Sequence, residues 1–219
     1  MTSDNDIVDY YRQRAAEYEQ IYYRDIPARR QEIADEEIRL KELVKGKSVL
    51  DTPCGTGYWT YTASQTARAV VASDLLAEMI TEAAAKPYPQ PVQFVQSDLY
   101  HPPFADSSFD IVTLGFWLSH HSRQDFDSLF QSLGRIIKAD GLVWMIDNNP
   151  PAEGDLNHSE GTDEFGNNLK KRFLDDGREY VIIKNYFTED DLREVLSPFF
   201  AIQRLTFGNY YWSAVLALK

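Results

Sequence analysis

The sequence is poor in cysteine and lacks long apolar runs. Cys54 is the single cysteine among 219 residues, so no disulfide can form within one chain, and we expect a reducing, cytoplasmic environment. No apolar run approaches the roughly 18 residues that a membrane-spanning helix needs. The opening residues MTSDNDIVDYYRQRAAEYEQ contain no apolar stretch typical of a secretory signal. We therefore expect neither export nor contact with a membrane.

Basic residues are also few. The chain has 22 Lys and Arg against 34 Asp and Glu, which gives a formal net charge of −12. Such a charge repels a phosphate backbone, so we do not expect nucleic acid as a partner. Hydrophobic residues make up 43% of the chain, which at this length is enough for one globular domain over residues 1–219.

Short apolar stretches alternate with helical patterns from residue 48 onward. Strands are predicted at 48–50, 69–73, 92–97, 109–117 and 142–148, followed by two closing strands near 200–207 and 210–218. Helices are predicted at 57–67, 75–86 and 125–138, the last ending in the glycine signal KADG. The alternation predicts an α/β fold, a doubly wound and mostly parallel sheet with helices on both faces.

Two regions flank or interrupt this alternation. Residues 1–46 are predicted to form a helical cover, with helices over 6–24 and 28–45. Residues 149–186 are predicted to be an insertion, a polar loop over 149–168 followed by a hairpin that turns at Asp176-Gly177. Thr188 and Asp191 then begin a helix in a variant of the capping box.

The stretch DTPCGTG follows the first predicted strand and is a glycine-rich loop. It lacks the lysine that a phosphate-binding Walker loop requires. A dinucleotide fingerprint needs a third glycine, and Thr60 stands in its place. Because Asp51 precedes the loop and no Lys or Arg occurs from 48 through 67, the loop favours a ligand with positive charge.

Acidic residues end three successive predicted strands, namely Asp51, Asp74 and Asp98. The carboxyl ends of parallel strands meet at one edge of the sheet, where such folds bind ligands. A carboxylate at position 74 can accept hydrogen bonds from ribose hydroxyls, and one at 98 can bond an adenine amino group. Any single Asp could instead be a helix N-cap, but three in register indicate one site.

The segments VLDTPCGTG, VVASDL, FVQSDLYHPPFADSSFDIV and GLVWMIDN resemble the class I S-adenosylmethionine-dependent methyltransferases, over about residues 7–218. The resemblance implies a Rossmann-like sheet of seven strands with an antiparallel last strand, and S-adenosyl-L-methionine as the cofactor. The residues that it places around the cofactor are Tyr11, Arg14, Tyr18, Asp51, Pro53, Gly55, Gly57, Asp74, Asp98, Leu99, Gly115 and Phe116.

The resemblance also implies a role for each group. The loop at Asp51, Gly55 and Gly57 holds the methionine part, Asp74 holds the ribose, and Asp98 with Leu99 holds the adenine. Gly115 and Phe116 flank the cofactor. Pro53 stands where the family commonly has glycine, so we expect the first turn of the loop to differ. Tyr11, Arg14 and Tyr18 belong to an opening helix, where they either contact the cofactor or pack on the core.

Methyl transfer to oxygen or nitrogen of a small-molecule acceptor is the activity that the resemblance implies. His120 is the candidate catalytic base, with His121 as a weaker one, because a neutral imidazole accepts a proton near pH 7. We expect no metal, since no third ligand has suitable spacing. Residues that could line an acceptor pocket, or pack in the core instead, are Trp117, Arg172, Tyr180, Tyr210 and Trp212. Arg172 or Arg178 could pair an acceptor carboxylate or form a surface salt bridge.

Two other functions fit the same architecture. One is a nucleotide-linked, NAD-type oxidoreductase, which the acid at 51 and the missing third glycine disfavour. The other is a protein that binds S-adenosylmethionine without transferring methyl. The oligomeric state is left as monomer or homodimer.

Overall fold

The computed structural model describes residues 4–14, 26–150, 159–174 and 176–219. These ranges contain six α-helices and ten β-strands. In chain order they are α1 (Asp4–Arg14), α2 (Pro27–Val44), β1 (Ser48–Asp51), α3 (Tyr58–Ser64), β2 (Ala69–Asp74), α4 (Ala77–Ala84), β3 (Val92–Gln96), β4 (Phe109–Gly115), α5 (Phe126–Ile136), β5 (Ile137–Asn148), β6 (Ser159–Thr162), β7 (Asn168–Phe173), β8 (Glu179–Ile183), α6 (Glu189–Leu196), β9 (Phe200–Phe207) and β10 (Tyr211–Leu218). None of the helices within these ranges has the length and apolar character to cross a bilayer.

Seven strands form the main sheet, in the order β3-β2-β1-β4-β5-β10-β9. The five strands from β3 to β5 run parallel, and β10 lies antiparallel to both β5 and β9. This confirms the predicted doubly wound sheet with an antiparallel last strand. The strand order reverses between β1 and β4, and such a switch point opens a crevice at the carboxyl ends of the strands.

Alternating residues of β5 pack on opposite faces of this sheet. Val143 and Met145 belong to a buried cluster with Leu129 and Leu133 of α5. The intervening Trp144 belongs to a second cluster, formed with residues of α2 and α3. Both faces of the sheet are therefore covered by helices, which is why its central strands read as continuous apolar runs.

The end of α5 differs from the prediction. The helix ends at Ile136, and β5 begins at the next residue, so the expected glycine exit at KADG is wrong. Ile137 pairs with Phe109, and the register shifts before the pairing resumes further along β5. Gly141 lies at this irregularity, where an added Cβ would be 2.9 Å from the carbonyl oxygen of Asp110. The glycine allows a close approach of two strands and does not cap a helix.

The insertion at 149–186 is more regular than predicted. The hairpin of β7 and β8 is confirmed, but residues 159–162 of the expected loop form β6, which pairs with β7 in a separate three-stranded sheet. The capping box of α6 is also confirmed, because Asp191 accepts from the Thr188 N–H at 2.8 Å and donates its own N–H to the Thr188 hydroxyl at 3.2 Å. Residues 15–25 of the predicted first helix and 151–158 of the loop lie outside the described residues.

Candidate functional site

A cavity of about 430 Å³ lies at the carboxyl ends of β1 to β4. Its wall is built by the segments that follow these strands, at 52–56, 74–76, 97–100 and 115–117. Two residues of α1, Val8 and Tyr11, and three of β8, at 181–183, complete it. The small sheet and the first helix thus meet the crevice of the main sheet at one place.

The glycine-rich loop is tied to the end of β2. Gly55 has a φ of +52°, and its N–H donates to Oδ2 of Asp74 at 2.9 Å. Gly57 has a φ of +84°, and a Cβ there would lie 2.9 Å from the Cβ of Ala83. Gly57 precedes α3 and packs against α4; it is not among the residues that line the cavity, and its place beside the cofactor stays a prediction.

Asp51 lies beneath the loop and does not line the cavity. Its side chain is 1% exposed and accepts hydrogen bonds from the hydroxyls of Thr60 at 2.5 Å and Thr113 at 2.7 Å. Burial raises the pKa of Asp51 to about 6, although these hydroxyls oppose the rise. These hydroxyls hold the Asp51 side chain beneath the loop, and its role toward the methionine part of the cofactor stays a prediction. Thr60, the residue that breaks the dinucleotide fingerprint, instead anchors α3 to β1.

Asp74 lines the cavity at the end of β2. Besides the Gly55 bond, its Oδ1 accepts from the Leu76 N–H at 2.9 Å. Burial raises the pKa of Asp74, while these backbone donors lower it. Each carboxylate oxygen has two lone pairs, so both oxygens keep acceptor capacity for ligand hydroxyls. Asp98, whose Oδ1 accepts from the Tyr100 N–H at 2.9 Å, lines the same cavity with Leu99.

An aromatic wall follows β4. A Cβ on Gly115 would lie 2.1 Å from Cδ1 of Trp59, so only glycine lets the indole cross the strand end. Phe116 has a φ of +57°, which is a strained conformation for a bulky residue. Its ring is 6.3 Å from that of Trp59. Both residues that were predicted to flank the cofactor line the cavity.

His120 ends a 3-10 turn over Leu118–His120 and also lines the cavity. Its Nδ1 is 2.8 Å from the carbonyl oxygen of Ile183. A carbonyl can only accept, so Nδ1 carries the proton. Burial, and after it the ammonium of Lys184, lower the pKa of His120, so the ring is neutral at pH 7. Nε2 then holds the lone pair that a general base needs.

His121 is held differently. Its Nε2 is hydrogen-bonded to the Tyr100 hydroxyl, and its ring lies 4.4 Å from that of Trp117. Burial lowers the pKa of His121 to about 4. Of the two adjacent histidines, His120 is therefore the one whose Nε2 has no partner among the described residues.

Within the ranges that the structure describes, no three His, Cys, Asp or Glu side chains are grouped to hold a metal ion.

The structure brings together most of the predicted site. The predicted residues that line the cavity are Tyr11, Pro53, Gly55, Asp74, Asp98, Leu99, Gly115, Phe116 and His120. Arg14 is not among them, because its guanidinium is bonded to the Tyr10 hydroxyl and lies 5.6 Å from the centre of that ring. Tyr18 lies outside the described residues.

Only some of the residues that could line an acceptor pocket lie at the cavity in the structure. Trp117 lines the cavity, whereas Trp212 is 1% exposed in the core. Tyr180 packs 5.7 Å from the ring of Tyr10, and neither it nor Tyr210 lines the cavity. Arg178 forms a 2.7 Å salt bridge with Asp176 at the surface, so the surface alternative applies to Arg178.

Comparison with known proteins points to one family. A family model described as "Methyltransferase domain" matches residues 49–141. A demethylmenaquinone methyltransferase of Lactococcus lactis subsp. lactis (strain IL1403) is 31% identical over 112 residues, 48% of this chain and 44% of that protein. The chain spans about half the length of the curated relatives that it matches.

Two solved structures are similar over nearly the whole chain. A DhpI–SAH complex is 27% identical with a TM-score of 0.78, covering 98% of this chain and 96% of that one. A DhpI–SAM–HEP complex is 26% identical with a TM-score of 0.79, covering 99% of both chains. By these matches the chain is similar to the class I S-adenosylmethionine-dependent methyltransferases and has their fold.

Residues that line the cavity carry polar atoms without a partner in the described part of the chain. They are the hydroxyl of Thr56, the hydroxyl of Ser97 and the indole Nε1 of Trp59, all of them buried atoms. All three residues line the cavity. Buried polar groups are normally satisfied, and S-adenosylmethionine carries hydroxyl, amino and carboxylate groups that can satisfy them. The residues present therefore fit this cofactor.

Sequence reasoning missed part of the cavity wall. Thr56, Trp59 and Ser97 are neighbours of predicted residues, so the loops were found but not every side chain. The wall segment 181–183 lies in the predicted insertion at 149–186, which we expected to cover the acceptor, but nothing local to β8 shows which of its residues pack on the crevice. Asp147 is the last residue but one of β5, near the same edge of the sheet as Asp51 and Asp74, and this signal was present but unused.

Replacing Asp74 should weaken cofactor binding. We expect Asp74→Ala to lose roughly 1–3 kcal/mol of S-adenosylmethionine affinity, because bonds to a charged acceptor disappear. Asp74→Asn, which keeps one oxygen, should lose less. Calorimetric titration measures both, with Asp106→Ala as the control, since the Asp106 side chain is 76% exposed. Unchanged affinity in a folded Asp74→Ala protein would contradict the ribose assignment.

The pKa of Asp51 predicts a pH-dependent stability. Because it rises from 3.8 to about 6 on folding, the stabilisation is fully present below about pH 4 and is lost as the pH rises through 6. Two pKa units correspond to about 3 kcal/mol. Asp51→Asn does not titrate, so urea unfolding from pH 4 to 8 should show the wild type losing stability relative to this variant. Parallel curves for the two proteins would refute the shift, and Asp106→Asn serves as the control.

Proposed function

We propose that this chain transfers a methyl group from S-adenosylmethionine to an oxygen or nitrogen atom of an anionic small molecule. The observation that carries the proposal is the neutral His120, with a free Nε2, on the wall of the cavity that also contains Asp74. When bound, the cofactor supplies an electrophilic methyl group on a sulfonium. The protein then has to position the acceptor and accept its proton.

The cofactor would be held by residues from three strand ends. The resemblance assigns the ribose to Asp74 and the adenine to Asp98 and Leu99, and all three line the cavity. The loop at 52–56 would hold the methionine part through its backbone and the Thr56 hydroxyl. Tyr11 presents an aromatic ring at the same wall, which can favour a cationic centre by about 1 kcal/mol.

His120 would act as the base for a hydroxyl or ammonium acceptor. Its Nδ1 proton is fixed on the Ile183 carbonyl at 2.8 Å, so only Nε2 is available to accept a proton. The edge of the Tyr11 ring packs against the imidazole, with 5.4 Å between ring centres. A base already neutral at pH 7 needs no prior deprotonation.

Arg172 supports an anionic acceptor. Its side chain is half-buried and forms no ion pair in the described part of the chain, whereas Arg178 and Lys171 on the same hairpin have carboxylate partners. The charge of Arg172 acts on both His120 and Lys184, lowering their pKa values. An unneutralised guanidinium near the base favours an acceptor with a carboxylate or a phosphate-like group.

The pairing of β7 with β8 shows on which face of the small sheet the Arg172 side chain lies. It stands opposite Tyr180, and opposite residues of an antiparallel pair point to the same face. Tyr180 contacts α1 through the ring of Tyr10 and the amide of Gln13, which donates to its hydroxyl at 3.1 Å. The face that carries Arg172 is therefore the face turned toward α1. Two other residues of that helix line the cavity, whereas Arg172 itself lies outside its lining.

The names of the curated relatives do not decide the acceptor. They are demethylmenaquinone methyltransferases, but the match covers about half of each chain, and the methyltransferase-domain model ends at residue 141, before the insertion at 149–186. That insertion supplies both Arg172 and the wall segment 181–183. We therefore base the acceptor class on the charges around His120.

A base at position 120 predicts a defined kinetic result. Methyl transfer from S-adenosylmethionine with a radiolabelled methyl group would be assayed on a panel of hydroxy and amino acids and phosphorylated alcohols. We expect His120→Gln to lower kcat by about 10²–10⁴ on the acceptor that is found, with cofactor affinity retained. The control is His101→Gln, whose side chain is 87% exposed. Normal turnover by His120→Gln would exclude His120 as the general base.

Calorimetric titration with NADH and with S-adenosylmethionine, together with the acceptor panel, separates the alternatives. NADH binding without S-adenosylmethionine binding would indicate the oxidoreductase. Tight S-adenosylmethionine binding with no methylated product on any member of the panel would favour the binding protein.

The acceptor charge gives a second prediction. We expect Arg172→Met to lower kcat/KM for an anionic acceptor by about 10- to 100-fold, the scale of a lost charge-assisted hydrogen bond, and to leave S-adenosylmethionine affinity unchanged. Arg178→Met removes a paired arginine of the same hairpin and is the matched control. Equal activity of both variants, or equal turnover of the uncharged ester of the acceptor, would exclude the anion site.

A further inference from the structure

Ser119, the residue before the candidate base, has a hydrogen bond at each of its polar groups. The N–H of Ser119 donates to Oδ2 of Asp147 at 2.9 Å. Its carbonyl accepts the N–H of Asn185 at 2.6 Å, and its hydroxyl accepts from Nζ of Lys184 at 2.6 Å. Ser119 itself is 1% exposed. The turn that carries His120 is thus held between the end of β5 and the end of β8.

Asp147 and Lys184 form a buried ion pair. Nζ of Lys184 is 3.2 Å from Oδ1 of Asp147, with side chains 6% and 0% exposed. Asp147 also accepts the N–H of Asn148 at 2.7 Å. Burying two charges costs several kcal/mol per ion unless hydrogen bonds compensate. Packing alone would favour apolar residues at these positions, so the pair calls for a functional explanation.

The same short segment sets the orientation of the imidazole. Residues 183–185 provide the Ile183 carbonyl for Nδ1 of His120, the ammonium for the Ser119 hydroxyl and the Asn185 N–H for the Ser119 carbonyl. A change in the Lys184 contact therefore moves the acceptor of the His120 proton. The charged groups that act on His120 are Lys184, Asp147 and Arg172.

We propose that Asp147 and Lys184 are a positioning pair, which holds His120 as the Nδ1–H tautomer, and that the carboxylate of Asp147 stabilises the imidazolium that forms when Nε2 accepts a proton. The inference rests on the proposed function for its chemistry. As the acceptor atom formed its bond to the methyl carbon, the bond from that carbon to the cofactor sulfur would break and leave its electron pair on the sulfur of the departing thioether. The O–H or N–H proton of the acceptor would pass to Nε2 of His120. The carboxylate of Asp147 compensates the new charge, and the proton later leaves to solvent.

The test observes His120 directly and needs no acceptor. In protein labelled with ¹⁵N at its four histidines, the signals of His120 are those missing from His120→Gln. At pH 7 we expect the wild type to show a protonated Nδ1 and an unprotonated Nε2. Loss of the Lys184 ammonium in Lys184→Met should raise the pH at which the ring protonates by about one unit or more, since a like charge disfavours imidazolium.

Asp147→Asn should act in the opposite sense, because it removes the carboxylate that favours imidazolium. We expect no upward shift of the titration but mixed tautomers, since the turn loses an anchor. Ser119→Ala keeps the ion pair and removes only the hydroxyl, so it tests the network if Asp147→Asn does not fold. The control variants are Lys171→Met and Glu179→Gln, which break the 3.2 Å ion pair at the surface of the same small sheet.

Kinetics complete the test once an acceptor is found. Lys184→Met and Asp147→Asn should lower kcat at least about tenfold with the KM for S-adenosylmethionine within about twofold. Wild-type tautomer and titration in both Lys184→Met and Asp147→Asn would overturn the inference. The expected ¹⁵N result in a wild type that methylates no acceptor would support the positioning pair and count against the proposed function alone.

Discussion

The architecture around the cavity depends on one constraint, that a carboxylate removed from water must find donors. Asp51 and Asp74 end β1 and β2, Asp147 is the last residue but one of β5, and all three are buried. Each accepts hydrogen bonds from neighbouring strands or from the segments that follow them. The hydroxyls of Thr60 and Thr113 bond Asp51, two backbone N–H groups bond Asp74, and Ser119 with Lys184 bonds Asp147. These bonds fix the loops from which the cavity is made, so the acids organise the site even where they do not touch a ligand.

Much of this arrangement could be predicted from the sequence, because its signals are local. Parallel strands read as apolar runs, and acids at their ends mark the carboxyl edge of the sheet. The direction of each carboxylate is not a local property. Asp51 and Asp74 have the same place in the pattern, yet Asp51 bonds α3 and Asp74 lines the cavity. The difference comes from the hydroxyls of Thr60 and Thr113, which both donate to Asp51; a glycine at position 60 would remove the first of these donors.

The adjacent histidines show a second limit of sequence reasoning. His120 and His121 are the same residue type in one turn, and both are neutral at pH 7. His120 bonds the carbonyl of Ile183, and His121 bonds the hydroxyl of Tyr100. Their chemistry therefore differs through partners that lie 63 and 21 positions away along the chain. The Ile183 carbonyl reaches this turn because the small sheet packs onto the crevice. The sequence pattern of β8 does not predict this packing.

The position of β10 has a consequence for how the protein is made. This strand lies between β5 and β9, so neither neighbour has its full set of ladder partners until residues 211–218 are available. During synthesis β1 to β5 emerge first, and β5 then presents an edge whose backbone N–H and C=O groups lack the partners that β10 later provides. Such an edge invites pairing with other chains. Until β10 is in place, either rapid completion of the chain or a chaperone would have to keep the β5 edge of the nascent protein from pairing with other chains.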